Sequence, residues 1–204
     1  ALGPAHPEVI AALGKFADFL RGRGQPAKAE SLLRRVLAAQ EKSLGGEHAD
    51  VLATTTALGE IYRDTGKYDK ALPLLQRVLD VQVKILGEDH LSVATALDNL
   101  ALLYQALGRY EDAEPFYFHA LTIREEKFGA SDPYVGHGLE KLADVYREQG
   151  KYDDAEKFYL RAIKIWQDTL GAEHPAYAHS LEHFAGLNYA QGKYDDAEKI
   201  YRKV

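Results

Sequence analysis

GEDHLSVATALDNLALLYQALGRYEDAEPFYFHALTIREEKFG, residues 87–129, carries two helical patterns bounded by glycines. Val93, Leu97, Leu100, Ala101 and Tyr104 recur at i, i+4, i+7, i+8 and i+11, the spacing of one face of an α-helix. Beyond Gly108, a second stripe of Ala113, Phe116, Tyr117, Ala120, Leu121 and Ile123 follows the same period. The first helix is termed A and the second B. The turn between them, Gly108-Arg109-Tyr110-Glu111-Asp112, has a chemical logic. Glycine ends a helix in the left-handed conformation without a Cβ clash, and the acids place negative charge beside the amides that open the next helix.

The same unit recurs along the whole chain. Gly24, Gly66, Gly108, Gly150 and Gly192 stand 42 residues apart, and a second ladder of Gly3, Gly45, Gly87, Gly129 and Gly171 keeps the interval. Two turns per repeat follow, and five units: 3–44, 45–86, 87–128, 129–170 and an incomplete 171–204. Small residues occupy fixed places where helices must approach closely. They are Ala17, Gly59, Ala101, Ala143 and Ala185 in helix A, and Ala29, Ala71, Ala113, Ala155 and Ala197 in helix B. Leu20 and Pro26 replace the tyrosines of the first unit, a divergence usual in an end repeat.

Leu100-Ala101, Tyr104, Gly108, Tyr110, Ala113, Tyr117 and Ala120 resemble the signature of the tetratricopeptide repeat. The longer period, with Leu86-Gly87-Glu88-Asp89-His90 and Ala113-Glu114-Pro115-Phe116-Tyr117, is similar to the 42-residue variety of kinesin light chains and many bacterial proteins. The resemblance implies an all-α fold, a right-handed superhelical solenoid of antiparallel helix pairs forming a single domain over 1–204. It also implies a scaffold that binds proteins, with helix A lining a concave groove. A last repeat that stops inside helix B leads to the expectation of a longer parent protein, as does the lack of Met at position 1.

Composition narrows the partners. Among 204 residues the formal charge is -6 and no basic cluster stands out, which argues against nucleic acid and anionic membranes. No run of eighteen apolar residues occurs, and Ala1-Leu2-Gly3-Pro4 lacks the character of a secretory signal. Zero cysteines exclude disulfides and thiolate sites and fit a reducing compartment, so the expected location is cytoplasmic. No cofactor is expected.

Candidate groove residues lie on the non-core face of helix A. Asp18, Glu60, Leu102 and Asp144 stand six residues before the glycine turn, and Thr56, Asp98, Glu140 and Glu182 ten residues before it. Arg21, Arg63 and Arg147, three residues after Asp18, Glu60 and Asp144, have the spacing of intrahelical ion pairs. Asn99, Gln105, His137, His179 and Tyr189 complete the face. Its acidic character points to a neutral or basic peptide rather than an acidic one. The lysine and asparagine carboxylate clamp of chaperone-binding relatives is absent. Of the paired asparagines of kinesin light chains, only Asp98-Asn99 is reminiscent.

Three other features call for weighing. His6, His48, His90 and His174 recur with Asp132 in the fourth place, and Asp132 before Pro133 has the form of a helix N-cap, so the set is expected to start helix A rather than bind metal. His179-Ser180-Leu181-Glu182-His183 matches a zinc-peptidase pattern, a remote alternative, because its Leu and acid also belong to the repeat. Phe118 and Trp166 stand where other repeats are mostly polar, which predicts an outer interface. Self-association through an uncapped C-terminal end is the competing function.

Overall fold

The computed structural model describes residues 7–203, and all ten elements among them are helices. The chain divides into two compact units, Ala1–Glu88 and Asp89–Val204, parting close to the start of the third repeat. The first holds α1 (Pro7–Gly22), α2 (Pro26–Leu44), α3 (Ala49–Asp64) and α4 (Tyr68–Leu86). The second holds α5 (Leu91–Ala106), α6 (Tyr110–Phe128), α7 (Pro133–Glu148), α8 (Tyr152–Leu170), α9 (Pro175–Ala190) and α10 (Tyr194–Tyr201). Within each unit every helix packs on its neighbours in the chain, and α7 also meets α9. Odd-numbered helices are helix A and even-numbered ones helix B.

Both glycine ladders bear out the sequence reading wherever they fall within the described residues. Gly24, Gly66, Gly108, Gly150 and Gly192 have φ between 69° and 75°, and Gly45, Gly87, Gly129 and Gly171 between 84° and 86°. At Gly108 the closure has the form of a helix C-terminal motif: the Arg109 amide donates to the Tyr104 carbonyl over 2.9 Å, and the Gly108 amide to that of Gln105. Helix A starts as expected. Nδ1 of His48, His90 and His174, and Oδ1 of Asp132, accept the amide two residues on, at 2.8–3.2 Å. His6 and Gly3 lie outside the described residues.

The small residues meet where helices A and B cross. Ala29, Ala71, Ala101, Ala113, Ala143, Ala155 and Ala185 are wholly buried. A Cβ on Gly59 would stand 2.7 Å from Leu75, inside any normal contact. Around these crossings, within each unit, helix B also covers the apolar face of the next helix A, as α2 does on α3, α6 on α7 and α8 on α9. Leu58 and Ile61 of α3, and Leu142 and Val145 of α7, are buried in this way. Their counterparts in α1, Phe16 and Phe19, are 50% and 58% exposed and stack on one another.

The turn glycines and Gly14 should answer oppositely to substitution. Gly108→Ala forces a side chain into the left-handed region and should cost about 1–2 kcal/mol. Gly14 is helical with open space where its Cβ would stand, so Gly14→Ala should add about 0.5–1 kcal/mol. Urea unfolding of the two variants checks both signs.

Candidate peptide-binding face

Helix A does present a row of polar side chains, but many of them serve the contacts between repeats. Asp98 and Glu140 are only 6% exposed and Asn99 is likewise buried, which corrects the expectation that they line an open surface. The Asp98 carboxylate accepts from Arg124 of α6 and from Lys141 of α7, both over 2.7 Å. Glu140 accepts from the Trp166 indole N–H over 2.9 Å and from the Ser180 hydroxyl of α9. Both acids thus join their own helix B to the helix A of the next repeat.

Trp166 is the second correction. Its ring is 1% exposed, seated over Gly136, where a Cβ would come within 2.8 Å of the indole, and His137 meets it edge-on with centroids 4.8 Å apart. The tryptophan fills space that a glycine on α7 opens, so it is a core residue and not an outer interface. Phe118 is 55% exposed.

Asp144 forms a third junction. It accepts from the Tyr159 hydroxyl, lies 2.9 Å from His183 Nδ1 on α9, and has Arg147 at 3.5 Å. Burial pushes the Asp144 carboxyl up, but the hydrogen bonds from His183 and Tyr159 and the charges of His183 and Arg147 outweigh it, so the group titrates below its ordinary value. His183 moves the other way. Its hydrogen bond to Asp144 raises it above the ordinary imidazole value, against the opposing effect of burial. Glu140 is also lowered: burial would raise it, and His137, Ser180 and Trp166 together prevail.

The expected intrahelical arginine pairs appear only at Arg147. Arg21 reaches across to Glu60 of α3, and Arg63 turns to Asp64 at 2.8 Å. Thr56 donates to the Leu52 carbonyl of its own helix, and Gln105 accepts from the Tyr117 hydroxyl. Leu102 is half-buried. Asp18, His137, His179, Glu182 and Tyr189 are exposed. His179 lies with its ring 4.4 Å from that of His183, but Glu182 faces solvent and His183 Nδ1 is taken by Asp144. Among the described residues no three His, Cys, Asp or Glu side chains are grouped to hold a metal ion.

The sequence reading missed Arg124, Lys141, Tyr159, Ser180 and His183 as partners of the groove acids. The signal was present in the repeat alignment. Asp98, Arg124 and Gly138 occupy the same three places as Glu140, Trp166 and Ser180, so acid, donor and neighbour vary as a set.

Comparison with known families settles what these helix pairs are. The tetratricopeptide repeat family matches residues 8–82, 50–126 and 135–204, and a second tetratricopeptide description matches 99–169. The chain belongs to the tetratricopeptide repeat family. No curated protein matches it. Among solved structures it is similar to the nearly identical TPR-like repeats of a Podosopora anserina protein assigned to the kinesin light chains. There the identity is 27% over 97% of this chain and 94% of that one, with a TM-score of 0.84. BtubC (BKLC) from P. vanneervenii is 24% identical over 96% of this chain and 78% of its own, with a TM-score of 0.81. The tetratricopeptide repeat sensor of a signal-transduction ATPase from Pyrococcus horikoshii shares the fold at 18% identity, over 96% of this chain and 29% of that one, with a TM-score of 0.80. No described helix of this tetratricopeptide protein is long and apolar enough to cross a membrane.

The Asp144–His183 junction should give stability a pH signature. The His183 contribution is complete below its unfolded pKa of about 6.5 and is lost as pH rises through its raised folded value. The Asp144 contribution is present above its unfolded value of about 3.9 and is lost as pH falls through its lowered one. Wild type should therefore exceed His183→Gln in stability most between about pH 4.5 and 6.5, and the gap should shrink toward pH 8. Denaturant melts of both proteins across that range test this, and a gap independent of pH would reject the pairing.

Proposed function

We propose that the chain is a protein-interaction scaffold whose helix-A face takes an extended peptide of neutral or basic character. The observation that carries this reading is a division of labour on that face. Asp98, Glu140 and Asp144 are consumed by internal partners, whereas His137, His179, Glu182 and Tyr189 of α7 and α9 remain exposed. Exposed imidazoles and a tyrosine offer flat apolar area and hydrogen bonds at small entropic cost, as binding surfaces require. Glu182 is exposed and is in none of the ion pairs within 4 Å among the described residues, so it leaves negative charge on the α7–α9 face. Family membership supports the general role, because tetratricopeptide repeats serve many unrelated protein partners.

A displayed peptide library tests it. Wild type should enrich neutral or basic sequences, and the quadruple variant His137→Ala, His179→Ala, Glu182→Ala, Tyr189→Ala should lose them while still unfolding in one cooperative transition, at a lower midpoint because His137 packs on Trp166 and faces Glu140. Selection of acidic peptides would overturn the charge preference. Retention by the variant would move the site elsewhere.

One observation favours a second reading, self-association. An apolar face on α1 is partly exposed: half-buried Val9 and Leu13 with exposed Phe16 and Phe19 hold the positions that α2 covers on α3 and α8 covers on α9. This is the end opposite to the one the sequence indicated. Light scattering on a concentration series should show mass rising for wild type and a constant monomer mass for Phe16→Lys, Phe19→Lys. A constant monomer mass for wild type would remove this reading.

A further inference from the structure

The same three-residue place that holds a buried acid in the third and fourth repeats is empty in the first. Its members there are Gly14 on α1, Gln40 on α2 and Thr54 on α3, the counterparts of Asp98, Arg124 and Gly138 and of Glu140, Trp166 and Ser180. In the later repeats the helix-A acid reaches into the junction and accepts hydrogen bonds from the helix-B donor and the next helix A. Gly14 has no side chain to send. What remains is a cavity of about 380 Å³ bounded by Ile10, Gly14, Val36, Gln40, Ser43 and Thr54, with Lys15, Asp18 and Asp50 at its rim. Its size is within the roughly 300–1,000 Å³ of small-ligand pockets.

Gln40 makes this more than a gap in packing. It is more than nine-tenths buried, its Oε1 accepts the Thr54 hydroxyl over 2.7 Å, and its amide N–H group donates to nothing among the described residues. That nitrogen is open to solvent at the cavity wall rather than sealed, so an incoming carbonyl oxygen that reproduces its hydrogen bond can replace water there at little cost. Where the protein supplies that oxygen itself it is a carboxylate, held by the Arg124 and Lys141 cations in the third repeat and by the Trp166 and Ser180 donors beside His137 in the fourth. Here the rim carries one cation and two acids, Lys15 against Asp18 and Asp50, which disfavours a carboxylate and favours a neutral group able to accept and donate together. Ile10 and Val36 line the approach and suit a short aliphatic stem.

We propose that this cavity is a binding slot for a carboxamide side chain, Asn or Gln, of a bound peptide, which takes the place that Asp98 and Glu140 fill from within. The carbonyl oxygen accepts from the Gln40 amide and the NH2 group donates toward Asp18 or Ser43. The inference rests on the peptide-binding reading, and it names a side-chain class and a second contact point for it.

The test uses the full chain, isotope-labelled, titrated with acetyl-glutamine methylamide at millimolar concentration. Its norleucine and glutamate counterparts serve as the comparison probes. The glutamine probe should shift the resonances of Gly14, Thr54 and the Gln40 side-chain amide saturably. The other two should bind at least tenfold more weakly. Gly14→Glu returns the missing acid at a helical position with open space for its side chain, so it should fold at least as well as wild type and abolish the response. Gln40→Met, which keeps length but removes the amide, should also abolish it. No saturable shift, an undiminished response in both variants, or tighter binding of the glutamate probe overturns the slot. Such a failure leaves the library experiment on α7 and α9 unaffected, because none of its four substitutions touches this cavity.

Discussion

Each unit from residue 45 onward carries two glycines at positive φ, and the equivalence of repeats depends on them. A helix that ends on such a residue must reverse at that point, since an L side chain there would clash with the backbone. Because neither interval varies, residue n and residue n+42 hold equivalent places within their own helix pairs, and the packing of one pair serves as the pattern for the next. The alanines at the A–B crossings follow from this. They set how near the two axes come, and the apolar stripes then have one partner face rather than several.

That constraint leaves a polar difficulty at the C-terminal third of helix B. In the third and fourth repeats a side chain there lies between its own helix A and the next one, largely out of reach of water. The repeats meet the requirement differently. Arg124 is neutralised by Asp98 and shares it with Lys141, whereas Trp166 buries its ring over Gly136 and spends its single N–H on Glu140. The acid alone would be costly to bury, and so would either cation; as a closed set they are tolerated and tie consecutive repeats in register. Tyr146 shows the same principle on another side of the stack. Its hydroxyl donates to Glu114, and burial together with that bond pushes its pKa up to about 12, while Lys151 and Gln149 hold the carboxylate from the next turn.

Most of the fold was legible because its determinants are local. A glycine at a helix end, an N-cap two residues before the amide it binds, and an apolar stripe of period 3.6 all act within a few residues. His90 and Asp132 were read correctly for that reason. The face was less legible. Periodicity assigned Asp98 and Glu140 to the side of helix A away from its core stripe, but it gave no depth, and side chains from helix B and the next helix A close over both acids. Arg21 illustrates the point: three residues from Asp18, it turns instead to Glu60, 39 residues away. Trp166 was misjudged because its counterparts are polar, although Gly136, the residue that makes room for it, stood in the same repeat.

The junctions also explain why an interaction surface need not be spread evenly over such repeats. Where acid, donor and neighbour are all present, the site is closed and its charges are cancelled, so a ligand gains little by approaching it. Replacing one member by glycine removes the internal occupant but leaves the donor that the occupant used to satisfy. Gln40 is in that state: its side-chain carbonyl is already committed to Thr54, and it lines the same cavity as Gly14. Recognition then needs no new architecture, because the geometry that holds a side chain from within the chain can hold one supplied from outside it.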